Sequence, residues 1–187
     1  MKVIAESENI TIRKMEDTDS DYQLMAKWLS DQRILQFVYG RTNPQSLSQV
    51  QKKYKPRILG KENVVPCIFS YQSHEIGYIQ FFPAKAREYG LDDTTQVWGL
   101  DMWIGEPEYW DKGLGSTVLR LLSDYLFKEK AAKKLIIDPQ VVNHRAVRAY
   151  EKAGFKKIKI LKKHEMYDGK KVDAWLMVLS HPDDLNH

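Results

Sequence analysis

The feature that most constrains this chain is a pair of segments in its second half, GEPEYWDKGLGSTVLRLLSDYLFKE (105–129) and IDPQVVNHRAVRAYEKAGF (137–155). In the first, Gly113 and Gly115 lie in a turn that feeds a run with apolar residues at helical spacing, Val118, Leu121, Leu122, Tyr125 and Leu126. Glycines there let backbone N–H groups approach an anion closely, and a helix N-terminus adds partial positive charge; a pyrophosphate fits that description. In the second, a short apolar strand at 135–137 ends at Asp138-Pro139, and Asn143 opens a helix that carries Ala146, Val147, Ala149 and Tyr150 and stops at Gly154-Phe155. A glycine pair before a helix is a weak signal alone, whereas the two segments together are specific.

The rest of the chain supplies strands more often than helices. Residues 9–14 alternate like a strand, and 19–30 reads as a helix with Tyr22, Met25, Trp28 and Leu29 on its apolar face. A second helix begins near Ser46, after the Asn43-Pro44 turn, and runs through Val50 and Tyr54 until Pro56 disturbs it. Strands at 65–71 and 75–82 are joined through Gln72-Ser73-His74 as a hairpin, with Gly77 a bulge or a point of close contact. Residues 95–104 form the next strand, and 155–166 with 171–179 read as a terminal hairpin turning at Asp168-Gly169. The polar connection 83–94 is of the kind that carries function, and the tail at about 181–187 is polar and frayed. There is no regular βαβ alternation, no repeat and no linker, so the expected fold is one mixed α/β domain spanning 1–187.

Composition narrows the function by exclusion. At 187 residues with 43% apolar content the chain buries one good core. The lone cysteine, Cys67, sits in the apolar stretch CIFSY as buried filler, and no Cys/His grouping has metal-ligand spacing, so no metal is expected. The scattered histidines support no nucleophilic triad. Neither a signal core nor an apolar run of membrane length is present, which leads to the expectation of a cytoplasmic protein without membrane contact. A net charge of +4 would suit nucleic acid, but the lysines form no dense stripe interleaved with aromatics. Lys130, Lys133 and Lys134, then Lys156, Lys157, Lys159, Lys162 and Lys163, flank the two segments, while Glu88, Asp92, Asp93, Asp101, Asp138, Glu165, Asp168 and Asp173 supply carboxylates for a cation-binding cleft.

Two aspartates carry the chemistry. Asp101 falls within the apolar and aromatic strand VWGLDMWIG, where a carboxylate is costly unless paired, hydrogen-bonded or facing a cleft; the milder alternative is that it points at water, away from Leu100 and Met102. Asp138 stands at the C-terminal end of its strand, where α/β folds bind ligands, or else forms a turn before Pro139.

The two segments resemble the GNAT superfamily of N-acetyltransferases, whose acetyl-CoA motif, [Q/R]xxGx[G/A], is followed by an NxxAxxxYxxxGF helix. Asn143, Ala146, Tyr150, Gly154 and Phe155 match the second part in full, and Trp110 stands where the first has Gln or Arg. The resemblance implies a central twisted, mixed, mostly antiparallel sheet flanked by helices, with the acetyl-CoA motifs at about 98–155. It also implies a pyrophosphate resting on the backbone of Lys112, Gly113, Leu114, Gly115 and Ser116, with Asn143 on the pantetheine arm and Tyr150 donating to the thioester sulfur. Backbone N–H groups of Met102, Trp103 and Ile104 would polarise the thioester carbonyl if the strand splays there.

GLDMWIGEPEYWDKGLGS (99–116), the 137–155 segment and HEMYDGKKVDAWLM (164–177) look further like the aminoglycoside 6'-N-acetyltransferase branch. By that likeness Asp101 binds or deprotonates the attacking amine and Asp138 holds ammonium groups; Trp98, a wall of the site or a core residue, and Asp168, an amine contact or a solvated turn residue, are further substrate-binding candidates from their own positions. The implied partner is a small-molecule amine, an aminoglycoside, handled by a monomer or homodimer in a ternary complex with acetyl-CoA. The alternatives are a GNAT enzyme for a protein N-terminus, a polyamine or a siderophore hydroxylamine, and a non-catalytic acyl-CoA-binding module.

Overall fold

The computed structural model describes residues 1–91 and 96–182; the readings made at Asp92, Asp93 and Thr95, and on residues 183–187 of the tail, lie outside the described residues. The elements run β1 (Val3–Glu6), β2 (Ile10–Lys14), α1 (Asp19–Trp28), α2 (Gln32–Leu35), α3 (Leu47–Ile58), β3 (Val65–Tyr71), β4 (His74–Pro83), β5 (Val97–Ile104), α4 (Leu114–Glu129), β6 (Lys134–Ile137), α5 (His144–Lys152), β7 (Lys156–Tyr167) and β8 (Lys170–Ser180). The strands form one eight-stranded sheet in the order β1-β2-β3-β4-β5-β6-β8-β7. Only the β5–β6 pair is parallel, so the sheet is mixed and mostly antiparallel, as the sequence suggests.

Strand alternation sorts the side chains into two layers. Ile79, Phe81 and Leu100 face α4 and α5, which bury Val118, Leu122 and Val147 against them. Tyr78, with Ile68, faces α1 and α3, which bring Met25, Trp28, Val50 and Tyr54. Fully burying one such large apolar side chain contributes roughly 1.5–3 kcal/mol. The α1 layer is also held by charge: Arg13 of β2 donates to both oxygens of Asp21 at 2.8 and 2.7 Å and to Glu75 of β4.

Local chemistry explains most boundaries. Thr18 and Ser46 cap α1 and α3, the latter through a reciprocal capping box with Gln49. Pro56 does not end α3, contrary to expectation; in the last turn it removes one N–H, and the helix continues to Ile58, which carries Arg57 over β4. Gly77 combines both expected roles. A Cβ there would lie 2.2 Å from the Phe69 ring and 2.5 Å from the Trp103 carbonyl oxygen. Beside it the register passes from Phe69↔Gly77 to Ser70↔Glu75, leaving Ile76 as a bulge. β1 and α2 went unread because four residues are too few to show a period.

β7 is an outer edge of the sheet and carries Lys156, Lys157, Lys159, Lys162 and Lys163. It joins β8 through Asp168 and Gly169, whose φ values of 45 and 72° are those of a type I′ turn. Midway the pairing steps from Leu161↔Ala174 to Glu165↔Val172, so Lys162, Lys163 and His164 stand opposite Asp173 alone. Asp173 stabilises this bulge by accepting from the Lys163 N–H at 3.0 Å and from Lys162 Nζ at 2.7 Å. Among the described residues, no helix is long and apolar enough to cross a membrane.

Candidate active site

The parallel pair is where the sheet comes apart. β5 and β6 are in register only from Val97↔Lys134 to Gly99↔Ile136, whereas β5 stays paired with β4 as far as Ile104. Beyond Gly99 the β6 side of β5 therefore lacks a strand neighbour, and the splay expected at Met102 to Ile104 is present. A cleft of about 680 Å³ opens in this gap between α3, β5, the first turn of α4, the turn after β6 and α5.

One end suits an anion. Gly113, at φ 78°, is the N-cap of α4 and has no side chain with which to cap it, while Ser116 Oγ donates back to the Gly113 carbonyl at 2.7 Å. The first-turn N–H groups are thus uncapped and open to a ligand. A Cβ on Gly115 would touch Met102, Ile104 and Ala149 only at 3.7–4.0 Å, so that glycine keeps the floor clear rather than relieving a clash. Trp110 donates Nε1–H to the Ile104 carbonyl at 2.9 Å, and the Arg145 guanidinium lies 3.7 Å from its ring centroid. A cation from α5 thereby stands beside the position where the family pattern has Gln or Arg.

On α5, Asn143 Oδ1 accepts from the Ala146 N–H at 3.2 Å, which leaves its amide N–H groups to offer to the cleft. Tyr150 is buried within the same wall, and burial with Asp101 and Asp138 nearby raises its pKa far above neutrality. It keeps its proton at neutral pH and can offer it in a hydrogen bond.

The other end is carboxylate-rich. Asp101 does face away from Leu100 and Met102, and on that side it lies half-buried in the cleft wall, with Lys53, Tyr54 and Arg57 of α3 lining the same cleft. Burial and Asp138 push its pKa up to about 6, against the Gln80 hydrogen bond, Arg57 and Lys53, which pull it down. Gln80, its cross-strand partner on β4, donates Nε2–H to Asp101 Oδ2 at 2.5 Å. Asp138 follows β6 and meets His164 Nε2 at 2.8 Å; that contact raises the histidine's pKa. Glu165 is pushed up to about 7 by burial, with Asp138 and Asp101 adding to the shift. Asp138, His164 and Glu165 hold their ligand atoms within 4.8 Å of one another, the make-up of a site for a cation. Opposite them Lys53 touches the Tyr39 hydroxyl, and burial lowers its pKa to about 8.

Asp101, Met102, Trp103, Ile104, Gly113, Leu114, Gly115, Ser116, Asp138, Asn143 and Tyr150 all line this cleft. Two expected site residues are placed elsewhere. Trp98 falls in the paired part of β5, below the gap, where it packs on Phe81 at 5.9 Å. Lys112, expected to contribute through its backbone, lies between the lining residues Asp111 and Gly113, with its ammonium over the Tyr109 ring at 5.4 Å. The Asp168 carboxylate is already engaged, accepting from Thr42 Oγ1 at 2.6 Å and from the Thr42 and Arg41 N–H groups. Glu165, one of the carboxylates expected in a cation-binding cleft, lines it, whereas Lys53, Arg57 and Gln80 enter the cleft unannounced. Gln80 alone had a signal, a polar residue inside the apolar strand GYIQFF. Cys67 is fully buried and its thiol pKa is pushed up to about 12, so it is filler as expected.

A splayed sheet with an uncapped helix N-terminus at the gap forms a cleft suited to an anionic ligand, and a family model described as the acetyltransferase (GNAT) domain matches residues 17–163. The chain belongs to this family and is an N-acetyltransferase. It is 32% identical, over 154 residues, to the aminoglycoside N(6')-acetyltransferase type 1 of Klebsiella pneumoniae, covering 81% of this chain and 76% of that protein. A kanamycin resistance protein of Rhizobium radiobacter is 39% identical over 73 residues, 39% of this chain and 68% of that one. Among solved structures, AAC(6')-Ib in complex with ribostamycin and coenzyme A superposes with a TM-score of 0.75 at 28% identity, covering 96% of this chain and 97% of the other.

Proposed function

We propose that residues 1–187 act as one domain that transfers the acetyl group of acetyl-CoA to the 6'-amino group of an aminoglycoside. The observation that carries this reading is the placement of Asp101 and Tyr150 in one cleft with the uncapped N-terminus of α4. The pyrophosphate lies on the first turn of α4, and the pantetheine arm lies along the open side of β5 past Asn143. Backbone N–H groups at Met102 to Ile104 face the thioester carbonyl. Asp101 receives the substrate ammonium and takes one proton. The freed amine attacks the thioester carbon, the C–S bond breaks, and the sulfur acquires a proton from Tyr150. The second proton lost by the nitrogen returns Tyr150 to its neutral form, so the products are the amide, the free thiol and one proton on Asp101. Asp138 and Glu165 hold further ammonium groups of a polycationic acceptor.

Thiol release from acetyl-CoA is the test, run with kanamycin, tobramycin, a 6'-hydroxyl aminoglycoside, spermidine and an N-terminal peptide. Turnover confined to the 6'-amino drugs is expected. Lys53, a cation in the same cleft that touches the Tyr39 hydroxyl and lies over the Tyr39 and Tyr54 rings, favours one second reading, an acceptor that bears an acidic group beside its amine. Turnover of the peptide alone would favour that reading and overturn the first.

A further inference from the structure

Asp101 does not stand alone in the cleft wall; it ends a chain of hydrogen bonds that starts on α3. Arg57 donates Nη1–H to Gln80 Oε1 at 2.9 Å, Tyr78 donates its hydroxyl to the same oxygen at 2.7 Å, and Gln80 Nε2 reaches Asp101 Oδ2 at 2.5 Å. Gln80 and Tyr78 are both buried, and Arg57 is anchored from outside by Glu62 at 3.0 Å.

The donors decide which way the amide points. A tyrosine hydroxyl can donate or accept, so Tyr78 would tolerate either end of the Gln80 amide. A guanidinium has only donors and keeps its charge, so Arg57 admits only the oxygen. With the oxygen held by Arg57, the NH₂ group must face Asp101. Were the amide turned over, its oxygen would meet a carboxylate oxygen at hydrogen-bond distance, which is repulsive unless Asp101 is protonated.

We infer that Arg57 and Gln80 are positioning residues for acetyl transfer: Gln80 occupies Oδ2 of Asp101, Arg57 fixes the direction of that hydrogen bond, and Oδ1 is left as the oxygen that meets the amine. The inference rests on the role proposed for Asp101. The charge on Arg57 also polarises the Gln80 amide and strengthens the hydrogen bond it gives to Asp101. Of the charged groups facing Asp101, Lys53 and Arg57 favour its ionised form, and Asp138 disfavours it. Glu165 adds a carboxylate at closer to neutral pH, while Tyr54, Tyr78, Tyr89 and Tyr150 stay neutral there.

The experiment compares the pH dependence of kcat/KM for kanamycin in the wild type, Gln80→Glu, Arg57→Met, Arg57→Lys and Asp101→Asn, with thermal melts to confirm folding. The ¹³C shift of the Asp101 carboxyl group is titrated in parallel, which reads the proposal even if kanamycin is a poor acceptor. Gln80→Glu keeps the shape and the bonds from Arg57 and Tyr78 but sets two carboxylates together, so the acid limb and the Asp101 titration should both move up by roughly one pH unit or more. Arg57→Met, which frees the amide to turn, should shift both in the same direction by less, and Arg57→Lys should restore part of the shift. Unmoved titrations in Gln80→Glu and Arg57→Met, with lowered melting temperatures, would show a structural role only and overturn the inference. An acid limb that survives in Asp101→Asn would instead overturn the assignment of Asp101, whatever Gln80 does.

Discussion

Asp101 is held in the fold against its own preference. Its folded pKa of about 6 lies above the value of 3.8 it starts from, so the native state binds the proton more tightly than the unfolded chain does. The sign follows: stability associated with this group is greatest below pH 4 and is lost as pH rises through 6. Asp101→Asn keeps an oxygen to accept from Gln80 and removes the buried charge. The variant should therefore be inactive yet more stable than the wild type by about 2 kcal/mol at pH 8, with little gain at pH 4. Urea unfolding at the two pH values checks this, and an equal gain at both would remove the charge from the explanation. Asp101 and Asp138 were legible in the sequence because each interrupts or ends a pattern, and Tyr150 through the resemblance its helix carries. Arg57 was not, and Gln80 showed only as a polar residue in an apolar strand, since what joins them is a contact between α3 and β4 across 23 positions of the chain.

At the scale of the element, the bulge in β7 decides how far along β8 Glu165 sits. In the register set by Leu161↔Ala174 it would pair with Lys170; the two extra residues opposite Asp173 keep its face but bring it to Val172, two positions along the strand. Asp173 holds the bulge through Lys162 and the Lys163 N–H and does not line the cleft itself. Asp173→Ala should raise the KM for a polycationic acceptor about 5- to 10-fold, equivalent to roughly 1 kcal/mol, and leave the KM for acetyl-CoA unchanged. Steady-state kinetics with each substrate varied in turn would show it; equal rises in both would point to general loosening instead. The longer helices and the hairpin turns after β3 and β7 could be read locally from caps, spacing and the Asp168-Gly169 pair. The bulge could not, because it exists only in the pairing of two strands.

Taken whole, the molecule carries a net charge of +4 yet gathers carboxylates at one end of its cleft and N–H groups with Arg145 at the other. Both attractions act over a few ångströms, but the surrounding positive field favours the anionic cosubstrate at longer range. Raising salt from 0.05 to 0.5 M shortens the screening length from roughly 14 to about 4 Å, so the KM for acetyl-CoA should rise several-fold. Initial rates across that range test it, and a KM indifferent to salt would place the binding energy in packing and hydrogen bonds. The mixed α/β class and the site of the cofactor motifs were readable from residues 98–155, where glycines and caps do local work. The order of strands was not, since nothing in a strand's own residues names its neighbour.

The outermost strand has one more consequence. A free edge twelve residues long is a template on which another chain could add itself. Here a second copy laid along β7 would set lysine against lysine down the ladder. The sheet stops at eight strands by charge rather than by cover, and the guard on that edge is only as strong as the surrounding counter-ions allow.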